Sequence, residues 1–256
     1  MTTFQLLSDI HLRDHTDETY EVQVSNPCSD VLLLAGDIGN ACDPPMLDFL
    51  IKTAALPYQH VIMVKGNHEL FGTTLEKTDT YLDGYASVIP KLVYLNRTTF
   101  DIPNTDIRIA GCTLWSHVND AQRQRVEQEV GDFKHIREWS LEKRDREHNR
   151  DVDFIINSMG CAVRDKKRLI LLTHHAPVRG ISSAPAHAHG PYTSSYECDL
   201  EHMIVPPIVA ACFGHTHFSM EGTINGVQLY SNQHGRCDDY DNTAFRDDFT
   251  FTVHAT

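Results

Sequence analysis

The stretch Val61-Ile62-Met63-Val64-Lys65-Gly66-Asn67-His68-Glu69 decides the fold. Four apolar residues run without alternation, which marks a strand covered on both faces and hence an interior strand of an α/β layer. The run stops near a glycine, and residues able to hold a cation or a phosphate follow at once. The same pattern recurs along the chain. Phe4–Leu7 leads into Ser8-Asp9-Ile10-His11, and Val31–Leu34 into Ala35-Gly36-Asp37. Leu169–Leu172 leads into Thr173-His174-His175, and Val209–Phe213 into Gly214-His215-Thr216-His217. Ile107–Ala110 reads as a further interior strand, and Val227–Ser231 and Phe249–Val253 as late antiparallel partners.

Helical patterns separate these runs. Pro44 and Pro45 suit the first turn of a helix, where the missing N–H costs nothing, and Leu47, Leu50, Ile51 and Ala54 follow as its buried stripe. A second helix is predicted over 141–163, with Val152, Ile155, Ile156 and Met159 inward. Its charged run Glu142-Lys143-Arg144-Asp145-Arg146-Glu147 reads as a solvated face. No repeat, low-complexity tract or linker divides the chain, so one domain over residues 1–256 is expected. Strands alternating with helices give a layered α/β sandwich. Ligands in such folds sit beyond the carboxyl ends of the strands, where the unusual residues of this sequence fall.

Composition narrows the chemistry. Of 256 residues, 41% are apolar and 22% charged, values of an ordinary globular chain. Acidic residues number 35 against 22 basic ones, a net charge of −13 that argues against a broad nucleic-acid face and against binding to an anionic membrane. No apolar run approaches the ~18 residues that span a bilayer, and the N-terminal stretch lacks the pattern of a signal peptide. The 7 cysteines are odd in number and form no CxxC pair, which suits reduced thiols in a cytoplasmic protein.

The 16 histidines are the outlier. Asp9, His11, Asp37, Asn67, His174, His215 and His217 combine imidazole, carboxylate and amide oxygen without thiolate, a donor set for Mn, Fe, Zn, Co or Ni, with Mn²⁺ the first choice. They exceed the four ligands of a tetrahedral zinc site. They suffice for two divalent metal ions sharing one carboxylate, an arrangement that clamps a phosphoryl group and generates a bridging hydroxide. Asp9 and His11, like His215 and His217, are two apart, so in an extended chain both members of each pair would face one ion.

Through Asp9-x-His11, Gly36-Asp37, Gly66-Asn67-His68-Glu69, Thr173-His174-His175-Ala176-Pro177 and Gly214-His215-Thr216-His217, the sequence resembles the calcineurin-like metallophosphoesterase superfamily. The resemblance implies a metallophosphatase-like sandwich of two mixed β-sheets flanked by α-helices, with a dinuclear site at its apex. One metal would take Asp9, His11 and His217, the other Asn67, His174 and His215, and Asp37 would bridge them. His68 and Asp37 would carry catalysis, with Asn67 and His68 also at the substrate: His68 would contact the phosphate or protonate the leaving oxygen. Glu69 would support that loop, and His175 would play a supporting part. The implied reaction is hydrolysis of small phosphodiesters or nucleotides by metal-bridging hydroxide attack. The alternatives are a phosphomonoesterase or phosphoprotein phosphatase, or a non-catalytic metal-binding scaffold.

Specificity falls to loops. Arg179, His187 and His189 lie in Ala176–Pro191, which is either a wall over the metals that touches phosphate or base, or a solvent-facing loop. Trp115 is expected in the core, and Asn232 and His234 in a post-strand turn or the pocket wall. Gly131-Asp132-Phe133 and the segment Tyr230–Gly235 resemble a narrower subset of small metallophosphoesterases. His15, His60, His148, His202 and His254 are expected at the surface or in packing. The partner expected is a small phosphate-ester substrate; a long duplex needs a basic groove that the sequence does not show, and nothing names a protein partner.

Overall fold

The unbroken apolar runs become parallel neighbours in a computed structural model that describes residues 1–12, 24, 27, 29–236 and 244–254. Cys28, Cys237 and His15 lie outside the described residues. One sheet holds β1 (Thr2–Leu7), β2 (Val31–Ala35), β3 (His60–Val64), β4 (Leu92–Tyr94) and β11 (Thr250–Val253). Its order is β11-β1-β2-β3-β4, with only β11 antiparallel to its neighbour. The other holds β5 (Thr98–Asp101), β6 (Ile107–Cys112), β7 (Arg168–Thr173), β8 (Ile208–Phe213), β9 (Met220–Ile224) and β10 (Val227–Ser231). Its order is β5-β6-β7-β8-β10-β9, parallel inside and antiparallel at both edges. The architecture is therefore α/β, with two mixed sheets flanked by helices. Val227–Ser231, expected as a purely antiparallel partner, also runs parallel to β8.

Continuous apolarity has the expected cause: alternate residues of each inner strand serve different layers. Leu6, Leu33 and Ile62 meet Ile109, Ile170 and Leu172 between the sheets. Leu32, Leu34 and Met63 face the other way, under α1 (Pro44–Ala55) and α2 (Leu75–Val88). Leu169, Leu171 and Phe213 pack under α5 (Leu141–Asp165). Full burial of each such side chain contributes roughly 1.5–3 kcal/mol, so the strands are pinned from both faces. Among the described residues no helix is long and apolar enough to cross a membrane.

Two helix readings need correction. α1 buries Met46, Phe49, Leu50 and Thr53, and Ile51 is 51% exposed. In α5, Ile155 is buried but Ile156 is 53% exposed. The charged run of α5 is not a solvated face throughout: Arg144 and Glu147 are buried, as is Asp151 one turn on. The first half of α5 lies over polar loops, so it buries charge that those loops need as partners. The second half lies over apolar strand faces and buries Ile155 and Ala162.

Candidate functional site

The loops that leave β1, β2, β3, β7 and β8 meet at one end of the sandwich. They are tied to each other by main chain: Asp9 N–H donates to the Gly36 carbonyl at 3.0 Å, His11 N–H to Asp37 at 3.0 Å, and Gly214 N–H to His174 at 2.9 Å. Asp9, His11, Asp37, His215 and His217 all take left-handed backbone, with φ of 55°, 50°, 52°, 73° and 50°. Each such residue costs about 1–2 kcal/mol in a non-glycine, and strain of this kind gathers at functional sites. The extended geometry expected of Asp9/His11 and His215/His217 is thus corrected: each pair converges through tight left-handed turns. Gly66 and Gly214 are required by close approach. A Cβ on Gly66 would strike the Asp37 carboxylate and the His174 ring, and one on Gly214 the Ser8 and Asp9 side chains.

Donor atoms converge in two adjoining groups that share the neighbourhood of Asp37. In the first, His11 Nε2 stands 3.0 Å from His217 Nε2, and His217 Nε2 3.5 Å from Asp9 Oδ1. In the second, His174 Nε2 stands 3.0 Å from Asn67 Oδ1, 3.1 Å from His215 Nδ1 and 3.4 Å from Asp37 Oδ1. Asp37 Oδ2 lies 3.9 Å from both His11 Nε2 and His68 Nε2. The groups Asp9/His11/His217, His11/Asp37/His68 and Asp37/His174/His215 each bring their donor atoms within 4.8 Å of one another, the distance range of ligands around one cation. Asp9, Asp37 and Asn67 follow strands of the first sheet, and His174, His215 and His217 follow strands of the second.

Hydrogen bonds outside these groups settle which atoms face inward. His174 Nδ1 donates to the Ala35 carbonyl at 2.8 Å, so in the neutral ring Nε2 is the lone-pair nitrogen. Asn67 Nδ2 donates to Asp132 Oδ1 at 2.8 Å, which turns the amide oxygen toward His174. Asp132 is held by buried Arg144, whose Nη1 lies 3.1 Å from Oδ2 and whose other donors reach the carbonyls of Ser116 and Ser195 and the Ser116 hydroxyl. Glu69 accepts backbone N–H from Asp37 at 3.0 Å, Ile38 at 2.8 Å and Gly66 at 2.7 Å, clamping two loops together. Asp9 accepts the His215 N–H and the Ser8 hydroxyl. Gln233 accepts the His217 N–H and donates to Thr216 Oγ1 and the Phe218 carbonyl, fixing the last loop.

Charge follows from this packing. Burial alone would raise the Asp37 carboxyl, but His174, His68 and His11 together hold it well below the usual carboxylate range. Burial opposes a charge on His174 and is outweighed by Asp37, so its imidazole rises to about 9. Burial pushes His11 down to about 3 and His215 well below the usual imidazole value. Glu69 rises to about 7 through burial and the Asp37 charge.

Above these groups opens a cavity of about 770 Å³. Asp37, Asn67, His68, His215 and His217 form its floor. Phe71 stacks on His68, centroids 4.1 Å apart, and Tyr196 on His215 at 4.9 Å. His187 lines the wall, whereas Arg179 and His189 stand outside the lining: Arg179 Nη1 faces Asp199 at 3.6 Å and His189 is exposed. His175 lies behind His215, centroids 3.9 Å apart, against Trp115. Trp115 is buried on Trp139. Asn232 is buried and donates to the carbonyls of Leu6 and Arg246, and His234 also lies outside the lining. Sequence reading missed Arg144 and Arg236, the latter 2.8 Å from His68 Nε2 through Nη2. No periodicity marks a lone arginine after a strand, but a buried arginine inside a charged helical run leaves a trace: Arg144 continues the i, i+3 spacing that starts at Leu141.

Comparison with known proteins agrees with this fold. An uncharacterized protein of Acanthamoeba polyphaga mimivirus is 25% identical over 223 residues, 80% of this chain and 78% of that one. The structure of a phosphopantetheinyl hydrolase from Mycobacterium tuberculosis superposes with a TM-score of 0.66 at 17% identity, covering 93% of each chain. A dimetal phosphatase from Danio rerio does so at 0.53 and 15% identity, covering 91% of this chain and 87% of its own. The sequence profile of the calcineurin-like phosphoesterases matches residues 2–219. With most of its length so matched and its histidines and aspartates gathered at one apex, the chain belongs to the calcineurin-like phosphoesterase family, whose members are characteristically metal-dependent phosphoric ester hydrolases.

Proposed function

We propose that this protein is a dinuclear metal-dependent phosphoesterase that hydrolyses small phosphodiesters or nucleotides. The observation that carries the reading is the pair of donor groups flanking Asp37, each drawing on both sheets. The donor set fits a pair of divalent cations, Mn²⁺ first: imidazole nitrogens stand against each other and against carboxylates at 3.0–3.5 Å, with the outer nitrogen of His174 occupied elsewhere. Asp9, His11 and His217 would hold one cation, Asn67, His174 and His215 the other, and Asp37 both. When bound, such a pair supplies Lewis-acid polarisation of phosphoryl oxygens and activation of water.

The chain's own residues do the rest. His68 faces Asp37 from the cavity floor; its Nε2, which accepts from Arg236, would meet the phosphate in place of that contact and, once it has taken a proton from solvent, hand it to the leaving oxygen. Positioned acid catalysis of this kind is typically worth about 10²–10⁴-fold. Glu69 keeps the Asp37 and Gly66 loops in register, and Asp132 keeps the Asn67 oxygen turned inward. Phe71 and Tyr196 offer the leaving group an aromatic wall.

The test is hydrolysis of bis-p-nitrophenyl phosphate and p-nitrophenyl phosphate by the Mn²⁺-loaded protein, followed by nucleotides and phosphopantetheinyl esters. The diester should turn over faster. Preference for the monoester would replace the diester reading, and no turnover with any divalent metal would leave a metal-binding scaffold. His68→Ala should keep most of its metal and lose about a hundredfold in kcat, and Asp37→Ala should lose both.

A further inference from the structure

Beside the main cavity lies a second groove of about 620 Å³, and the two share His68, Phe71, His135 and Arg236. The described lining of this groove adds Lys134 and Arg137 and contains no carboxylate. In a chain with 35 acidic and 22 basic residues, a wall with three permanent cations and no described acid runs against its surroundings. Lys134 Nζ donates to the Glu129 carbonyl at 3.3 Å and has further donors to offer. Arg137 is exposed, and its side chain makes no hydrogen bond or ion pair among the described residues.

The groove is also fixed in place. Arg137 N–H donates to the Thr73 carbonyl at 2.9 Å and Gly72 N–H to His135 at 2.8 Å, while Phe71 and Ile136 form a bridge. The segment bearing the cations is thereby fastened to the turn that leaves Asn67 and His68. Arg236 stands at the junction, its guanidinium on the rim of both spaces. Guanidinium forks match phosphate oxygens two at a time, and an ammonium adds a point charge.

We propose that this groove is a second anion site and that the substrate carries, besides the phosphoester at the metal groups, a second phosphate seated against Lys134, Arg137 and Arg236. This deepens the phosphoesterase reading above and rests on it. The substrate class is then a phosphoester with two separated phosphates, such as a nucleoside bisphosphate ester.

The test compares the p-nitrophenyl ester of thymidine 5′-phosphate with and without a 3′-phosphate, using the Mn²⁺-loaded protein. The phosphorylated ester should have a kcat/KM about tenfold higher, through KM, and rising ionic strength should erode the difference. Lys134→Gln with Arg137→Gln should bring the ratio of the two esters to near one. The ratio is the readout, so a general loss of rate in the variant does not mimic it. Glycerol phosphodiesters with and without a second phosphate give a parallel pair: preference there alone assigns the site to non-nucleotide carriers. Calorimetric binding of thymidine 3′,5′-bisphosphate against thymidine 5′-phosphate decides the matter even if no ester is hydrolysed. No preference in either pair and equal binding, or a preference that survives the double substitution, overturns the proposal.

Discussion

A buried guanidinium with each of its three nitrogens engaged tolerates little change around it. Arg144 is fully buried and balanced by Asp132, which in turn orients Asn67. Arg144→Met leaves the Asp132 charge buried and half-paired, a loss of about 3–5 kcal/mol readable as a shift in urea midpoint. It also frees the Asn67 amide to rotate, so Mn²⁺ affinity should fall by roughly 10–100-fold. Combining Arg144→Met with Asp132→Leu removes the orphaned charge. That double variant should regain stability yet keep the weakened metal binding, which separates folding from positioning. Recovery of both would show that Asp132 does not set the orientation of Asn67. At this scale the sequence was informative where a residue sits in a short motif: Asp37 after Gly36, and Asn67, His68 and Glu69 in one run. It lent Asp132 a resemblance but no role and placed Arg144 on a solvated face, because their pairing joins two segments through space and neither stands in a run of metal-binding residues.

The loops after the strands carry the chemistry because each is pulled into a left-handed turn and fastened to its neighbour. Gly66→Ala sets a methyl group against the Asp37 carboxylate and the His174 ring. Neither partner can retreat without leaving its own hydrogen bonds, so the variant should bind less than a tenth of the wild-type metal while keeping a native far-ultraviolet circular dichroism spectrum. Full metal content by elemental analysis would contradict that account. Strand positions were legible because burial on both faces leaves an unbroken apolar run, as in Val31–Leu34 and Leu169–Leu172. β5 was not legible: Thr98–Asp101 is an edge strand, mostly exposed, with no apolar face to read. The charged half of α5 misled for the opposite reason, since ion pairs such as Arg97 with Glu147 and Asp151, at 3.0 and 2.9 Å, let a polar face be buried. Loop specificity residues were the least legible. Arg179 and His187 occupy similar sequence surroundings, and only the path of the chain sends one toward Asp199 and the other to the cavity.

Titration of the whole molecule follows from opposed groups. His11, His175 and His215 are held uncharged by burial, so unfolding below their ordinary value takes up protons and stability climbs with pH up to about 6.5. Glu69 and Asp151, raised by burial to about 7 and about 6, act in the other direction over this range but are outnumbered. His174 is raised to about 9 against burial by Asp37; its contribution is complete below 6.5 and disappears as pH passes through 9. The metal-stripped protein should therefore be most stable near pH 6.5 and weaken toward pH 9, as urea midpoints would show. Mn²⁺ must displace the His174 proton, so its affinity should rise over the same interval and carry the stability optimum to higher pH. A stripped protein whose midpoint climbs steadily to pH 9 would contradict the charge assigned to His174.

Two of the donor groups, Asp9/His11/His217 and Asp37/His174/His215, take some of their atoms from one sheet and some from the other. A cation seated there acts as a rivet through the sandwich, joining two layers otherwise held at that end by loop contacts. Chelation should then let the layers shear, with amide exchange quickening together at the carboxyl ends of β2 and β7 while the middles of the inner strands stay protected.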